Sequence, residues 1–244
     1  MVTAMTTTMA ATATTRDGLD ALLVSLQLTD SAFPSGFYTL SHGLEGYAQA
    51  KAVTPESLPA LLADLLRHSV GPADATALAV AHRAVRGGDW ELVIDADRRL
   101  HATKLNRELR QASTRTGRQL LDVAGEVLDA AEISRYAELV AAKRTPGSQA
   151  VALGVAYAAA GVPAEQAVAG DLFAFSSSFA GAALRLRLTD FRKAQVLLRA
   201  MAPVIAEVAQ AALGRDPADI GGCVPVADVM SGRHERAPAR LFAS

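Results

Sequence analysis

The sequence predicts an all-α protein: a single compact multi-helix domain over residues 17–244, preceded by a disordered leader over residues 1–16 and ending in an extended tail over residues 221–244. Three observations lead there. From Asp17 onward, apolar residues recur at i, i+3, i+4 and i+7, the spacing that gathers them on one helical stripe. No run of β-branched or aromatic residues alternates with period two between turn residues, so strand signals are nearly absent. No shift of composition and no repeat of fixed period divides the chain.

The elements follow in order. Thr54 is an N-cap with Pro55 at the first helical position, and Leu58, Leu61, Leu62, Leu65, Leu66 and Val70 form one stripe. Gly71-Pro72 is expected to stop that helix, and Pro72 to open the next, which carries Leu78 and Val85 inward and ends at Gly87-Gly88. Asp89 caps a third helix through Leu92, Ala96, Leu100 and Leu105 toward Leu109, with a break at Gly117 before Leu120, Leu121 and Val127. Further helices are expected over 134–143, 148–160, 163–188 and 190–213, the last kinked at Pro203, where a backbone donor is missing. The longest uncharged stretch, Thr145 to Ala164, is Ala-rich and broken by Gly154, Gly161 and Pro163. It reads as a buried core helix and a turn, not a membrane span.

Composition excludes several classes. Half of the 244 residues are hydrophobic and 20% are charged, which excludes a disordered chain. A net charge of −1 gives the whole molecule no pull toward nucleic acid or anionic membrane, so neither is expected as a partner. The one cysteine, Cys223, forms no internal disulfide and fits a reducing, cytoplasmic setting. Residues Met1 to Thr15 lack the basic region and apolar block of a secretory signal.

Three segments stand out. Residues Leu26 to Glu45 read as a helix end, a Pro/Gly loop and a new helix in which Ser41 caps and Glu45 occupies the favourable first turn. A hydrolase would use Ser41 or Ser35 as nucleophile, His42 as base and Asp30 to orient it. Adjacent Ser and His side chains on a helix do not face each other, so capping is the preferred reading. A basic run, Arg98, Arg99, Lys104, Arg107, Arg110, Arg115 and Arg118, is relieved mainly by Glu108; without interleaved aromatics it reads as a solvated helix face rather than a nucleic-acid surface. In the tail, Cys223 and His234 are chemically credible metal ligands, yet two ligands form no closed site; they read as a small buried thiol and a surface imidazole, and no metal site is assigned. Pro225 and Pro238 argue against a continuous helix there. The apolar Leu241 and Phe242 call for a groove on the body or on a partner.

Taken together, the Leu26–Gln49 segment, the Arg107-Glu108-Leu109-Arg110 element with Gly117 after it, and Arg233-His234-Glu235 followed by Arg240-Leu241-Phe242-Ala243-Ser244 resemble the urease accessory protein UreF family. The chain departs from common family patterns at Arg236-Ala237-Pro238-Ala239 and at Arg187-Leu188-Thr189-Asp190. The resemblance implies an all-α, homodimeric, cytoplasmic and non-enzymatic adaptor with no cofactor of its own. It would join a UreD-type (also called UreH-type) protein to the UreG-type GTPase, which binds the GTP, for nickel insertion into apo-urease. An alternative within the same setting is a GTPase-activating protein supplying Arg107 or Arg110 to the nucleotide. The resemblance further implies that Tyr38 and Arg240 meet the UreD-type partner, with Ser41, His42, Glu45, His234, Glu235, Leu241 and Phe242 in the same motifs. Because the core stripes end by Leu213, the tail is expected to bury little of itself on the body.

Overall fold

The computed structural model of the chain describes residues 18–242, and the expected leader and the last two residues lie outside that range. Among the described residues there are helices and turns and no strand, as the hydrophobic spacing requires. Helix α1 spans Gly18–Thr29. A loop with a 3-10 turn at Phe37–Thr39 leads to α2 (Leu44–Gln49) and α3 (Leu58–Leu65). Then come α4 (Thr76–Gly87), α5 (Trp90–Thr103), α6 (Arg107–Leu128), α7 (Ala131–Ala141), α8 (Gln149–Ala159), α9 (Ala164–Arg185), α10 (Phe191–Gly214) and α11 (Pro225–Glu235).

Helix α8 is the axis of the core. Every residue from Ala150 to Ala158 is buried, because α4, α6, α7 and α9 pack around it. Its small side chains let neighbouring axes come close, and a helix apolar on all sides is stable only when so enclosed. This is the uncharged stretch assigned to the core from sequence. Helices α9 and α10 are long and apolar enough to cross a membrane by length and composition, but they pack on each other and on the core.

Several boundaries differ from expectation. Gly71-Pro72 does not end a helix: α3 continues through a π-helical segment, Leu66–Ala75, into α4 with Pro72 inside. The wider turn accommodates the proline ring, a common cause of such a bulge, and Thr76 Oγ1 donates to the Gly71 carbonyl at 2.9 Å. Thr54 and Ser57 form a turn before α3, through the Ser57 hydroxyl, so the helix begins at Leu58 rather than at Pro55. The break expected at Gly117 falls instead at residues 104–106, and Gly117 sits inside α6. A Cβ there would run into the Gly147 carbonyl and come within 2.9 Å of Gln149 N, so the glycine serves close packing against the entry to α8. Asp89 caps α5 as expected, accepting from Leu92 N at 3.0 Å. Helix α10 runs without interruption through Pro203.

Asp97 on α5 anchors the same entry to α8. Its fully buried carboxylate accepts from the Tyr136 hydroxyl (2.7 Å), the Thr145 hydroxyl (2.6 Å), Gly147 N (2.7 Å) and Ser148 N (3.0 Å). One side chain thereby joins α5, α7 and the turn before α8. Removing it leaves four buried donors without an acceptor. Asp97→Ala is therefore expected to lower the unfolding free energy by roughly 3–5 kcal/mol, measured by urea denaturation, whereas an exposed Asp95→Ala control changes it little.

Candidate functional site

The tail does not trail into solvent. Pro225 stands at the first turn of α11, where a missing N–H costs nothing, so the residue expected to oppose a helix starts one. Helix α11 lies directly on α2 because residue 46 is glycine: a Cβ there would overlap the Met230 carbonyl group. Met230 and His234, one turn apart, face inward, and the chain after the helix returns to bury Phe242. The expectation of little burial is overturned. A stripe search that ends at Leu213 misses polar residues that are buried in pairs.

His234 is the centre. Its side chain is 1% exposed, with Nε2 2.7 Å from Glu45 Oε2 and Nδ1 3.0 Å from Glu108 Oε2. Both ring nitrogens thus face carboxylate oxygens. The second oxygen of Glu108 accepts from Arg240 Nη1 at 2.9 Å. Glu45 also accepts from the backbone N–H groups of Leu241 (2.8 Å) and Phe242 (3.0 Å), so it holds both the helix and the end of the tail. Each buried carboxylate thereby has several polar partners, which is the condition for burying it at tolerable cost. Arg107 closes the outer edge by pairing with Glu235 at 2.8 Å.

The Tyr38 loop joins the tail through a third element. The Arg185 guanidinium at the end of α9 lies 4.1 Å from the Tyr38 ring centroid and 4.3 Å from that of Phe242, sandwiched between them. Each such contact contributes about 0.5–2 kcal/mol according to its desolvation. Tyr38 and Leu241 remain more than half exposed.

The structure thus brings Tyr38, Glu45, His234, Glu235, Arg240, Leu241 and Phe242 to one corner of the molecule. Ser41 is fully buried, its hydroxyl accepting from Glu45 N at 3.4 Å. His42 turns away from any hydrolytic arrangement: Nε2 is 2.9 Å from Ser178 Oγ, whose hydroxyl donates to the Phe37 carbonyl at 3.2 Å, while Asp30 accepts from Ala32 N. The readings of Cys223 as buried and His234 as exposed are reversed, since the thiol is exposed beside Asp228 and the imidazole is enclosed. Among the described residues no group of three or more His, Cys, Asp or Glu could hold a metal ion. Of the basic run, Arg98 and Arg110 bond backbone carbonyls, and Arg99, Lys104 and Arg107 pair with Asp95, Asp74 and Glu235. Sequence reasoning missed Glu108 and Arg185. Glu108 had a faint signal as the lone acid among arginines; Arg185 had none.

Beneath the site, a cavity of about 130 Å³ and another of about 230 Å³ share Phe37, Gln149 and Asp171 in their walls. Burial pushes the Asp171 carboxyl up to about 7, and its hydrogen bond is from Gln149 Nε2 at 3.2 Å. Burial between Phe37 and Phe175, reinforced by Lys104 and Arg185, pulls His42 down to about 3.

Two predictions follow from this geometry. Glu45→Ala removes the acceptor for His234, Leu241 N and Phe242 N together, and should raise amide exchange at Leu241 and Phe242 more than tenfold while α8 stays protected, read by hydrogen–deuterium exchange. The second concerns pH. Native Asp171 keeps its proton from the ordinary carboxylate range up to about 7, so it lowers stability as pH rises through that window; His42, neutral when folded, lowers stability as pH falls below its ordinary value toward 3. Asp171→Asn should therefore raise the urea midpoint at pH 8, and the gain should vanish near pH 4. A gain independent of pH would refute the assignment to this carboxyl.

Comparison with known proteins gives this geometry a family. The UreF family model matches residues 52–202. The chain is 31% identical over 228 residues to "Urease accessory protein UreF 2" of Brucella canis, covering 92% of each chain. It is 35% identical over 227 residues to "Urease accessory protein UreF" of Paenarthrobacter aurescens, covering 89% of this chain and 96% of that one. A similar protein from an Arthrobacter species is 32% identical over 219 residues. This helical body, with its tail bonded to α2, therefore belongs to a member of the UreF family of urease accessory proteins.

Proposed function

We propose that this chain is a non-enzymatic, cytoplasmic adaptor that joins a UreD-type accessory protein to the UreG-type GTPase for GTP-dependent nickel insertion into apo-urease. One observation carries the reading beyond family membership: Arg185 clamps the Tyr38 loop to Phe242, and the Glu45–His234–Glu108–Arg240 network fixes the tail behind it. The result is a surface presenting Tyr38 and Leu241; the end of α1, at Leu28 and Thr29, lines one cavity with Tyr38 and Arg185, and further up α1 Leu19, Leu22, Leu23 and Leu26 are exposed at helical spacing. An aromatic and several aliphatic side chains held in place and left uncovered suit a UreD-type partner. In this reading Tyr38, Leu241 and the outer part of Arg240 touch the partner, while Ser41, Glu45, His234 and Phe242 position them. Nickel is the cargo, and GTP belongs to the GTPase.

The adaptor works as a homodimer. The supporting feature lies on another face, where Ala169, Phe173, Leu198, Ala202 and Ala206 line a shallow apolar groove between α9 and α10, with Glu165 and Arg199 at its rim. Small residues along the groove permit close approach, and Phe173, about half exposed, is a knob for the same groove on a second copy. Charges of opposite sign at the rim suit a two-fold arrangement.

Tyr38→Ala combined with Leu241→Ala should weaken capture of the UreD-type protein more than tenfold, with unchanged circular dichroism and reduced nickel in co-expressed urease. These exposed positions are preferable to truncation of the tail, which would strip Glu45 and Glu108 of their partners. Full capture by the double variant would refute this interface. Phe173→Asp should convert the dimer to monomer in light scattering and leave the helical signal intact.

A further inference from the structure

We propose that the cleft between α6 and the tail is a docking site for an acidic protein segment, extended and carrying carboxylates about four residues apart. It rests on the reading above only in taking this corner of the molecule to face a partner. The cleft, about 470 Å³, is walled by Arg107, Arg115 and Arg240, with Glu108 and Glu235 between them.

The arginines are not consumed by the fold. Arg107 spends one nitrogen on Glu235 and is 72% exposed; Arg240 spends one on Glu108 and is 43% exposed. Arg115 is exposed, and among the described residues it has no ion pair. Its neighbours one turn away, Gln111 and Gln119, are uncharged, and the acid two turns back, Glu108, already bonds Arg240 and His234. Three guanidiniums meet two carboxylates, and one of those carboxylates is already shared with His234. This local excess of positive charge stands on a chain whose net charge is −1.

Geometry defines the ligand. Arg107 and Arg115 are eight residues apart on one helix, hence on the same side and roughly 12 Å apart along the axis. An extended chain advances about 3.4 Å per residue, so carboxylates four positions apart span about the same distance. Guanidinium groups with free paired N–H donors bind carboxylates bidentately, which sets register as well as attraction. A nucleic acid is disfavoured because Glu108 and Glu235 interrupt the positive wall against a continuous phosphodiester chain. Phe242, the aromatic side chain at the cleft, is buried and offers no face for stacking.

The test uses the full chain and a fluorescein-labelled hexaglutamate peptide, read by anisotropy. Hexaglutamate should bind, and should release as NaCl rises from about 0.1 to about 1 M, where the screening length falls from roughly 10 to 3 Å. Arg107→Gln with Arg115→Gln should weaken binding about tenfold or more, Arg115→Lys should weaken it less, and the exposed Arg135→Gln should change nothing. Equal binding by wild type and the double variant would overturn the proposal, and so would tighter binding of a single-stranded oligonucleotide than of hexaglutamate. The adaptor reading fails separately: it falls if the Tyr38 and Leu241 variants capture the UreD-type protein normally, whatever hexaglutamate does.

Discussion

Two glutamates far apart in the chain, Glu45 in the first turn of α2 and Glu108 in the first turn of α6, are buried against one histidine from α11. Neither carboxylate could stay there alone, since a buried unpaired charge costs several kcal/mol. His234 and Arg240 supply hydrogen-bond partners, and both come from the last dozen residues of the described chain. Ordering of the tail is therefore what links α2 to α6, through His234 on α11. Leu241, whose N–H bonds Glu45, depends directly on that network.

The network and the aromatic clamp divide the labour. Hydrogen bonds to Glu45 and Glu108 set direction, because each oxygen faces a particular donor. Arg185, in contact with both Tyr38 and Phe242, supplies area and carries the position of the tail to the Tyr38 loop. A partner that grips Tyr38 thus feels the state of the tail, and one that grips the tail feels the loop. Coupling through a shared packed element needs no hinge or lid.

Inside the same region the protein buries polar groups that favour opposite protonation behaviour. Asp171 keeps its proton to about 7, and His42 refuses one until about 3, each driven mainly by burial beside the shared cavities. In mildly acidic solution their effects on stability oppose each other, because one group is destabilised by losing a proton and the other by gaining one. Between about pH 3 and about pH 7 both groups are consequently neutral, beside the Lys104–Asp74 pair in the wall of the same cavity.

The sequence by itself determined the helical class, the enclosed α8, the capping of α5 by Asp89 and the family, because each depends on local spacing or on motifs near in the chain. Leu62, Leu65 and Leu66 declare a face without reference to anything distant. It also marked Tyr38, Glu45, His234 and Arg240 through resemblance, without showing that they meet. Tertiary structure alone decided that Pro72 and Gly117 would lie inside helices, since the reasons are a widened turn and a neighbour touching the place of a Cβ. It alone decided that His234 is buried and Cys223 exposed, and that Arg185 joins loop to tail. For His234 the physical reason is that a polar side chain becomes part of a core only when partners far away along the chain complete its hydrogen bonds, and hydrophobic periodicity carries no record of such pairs.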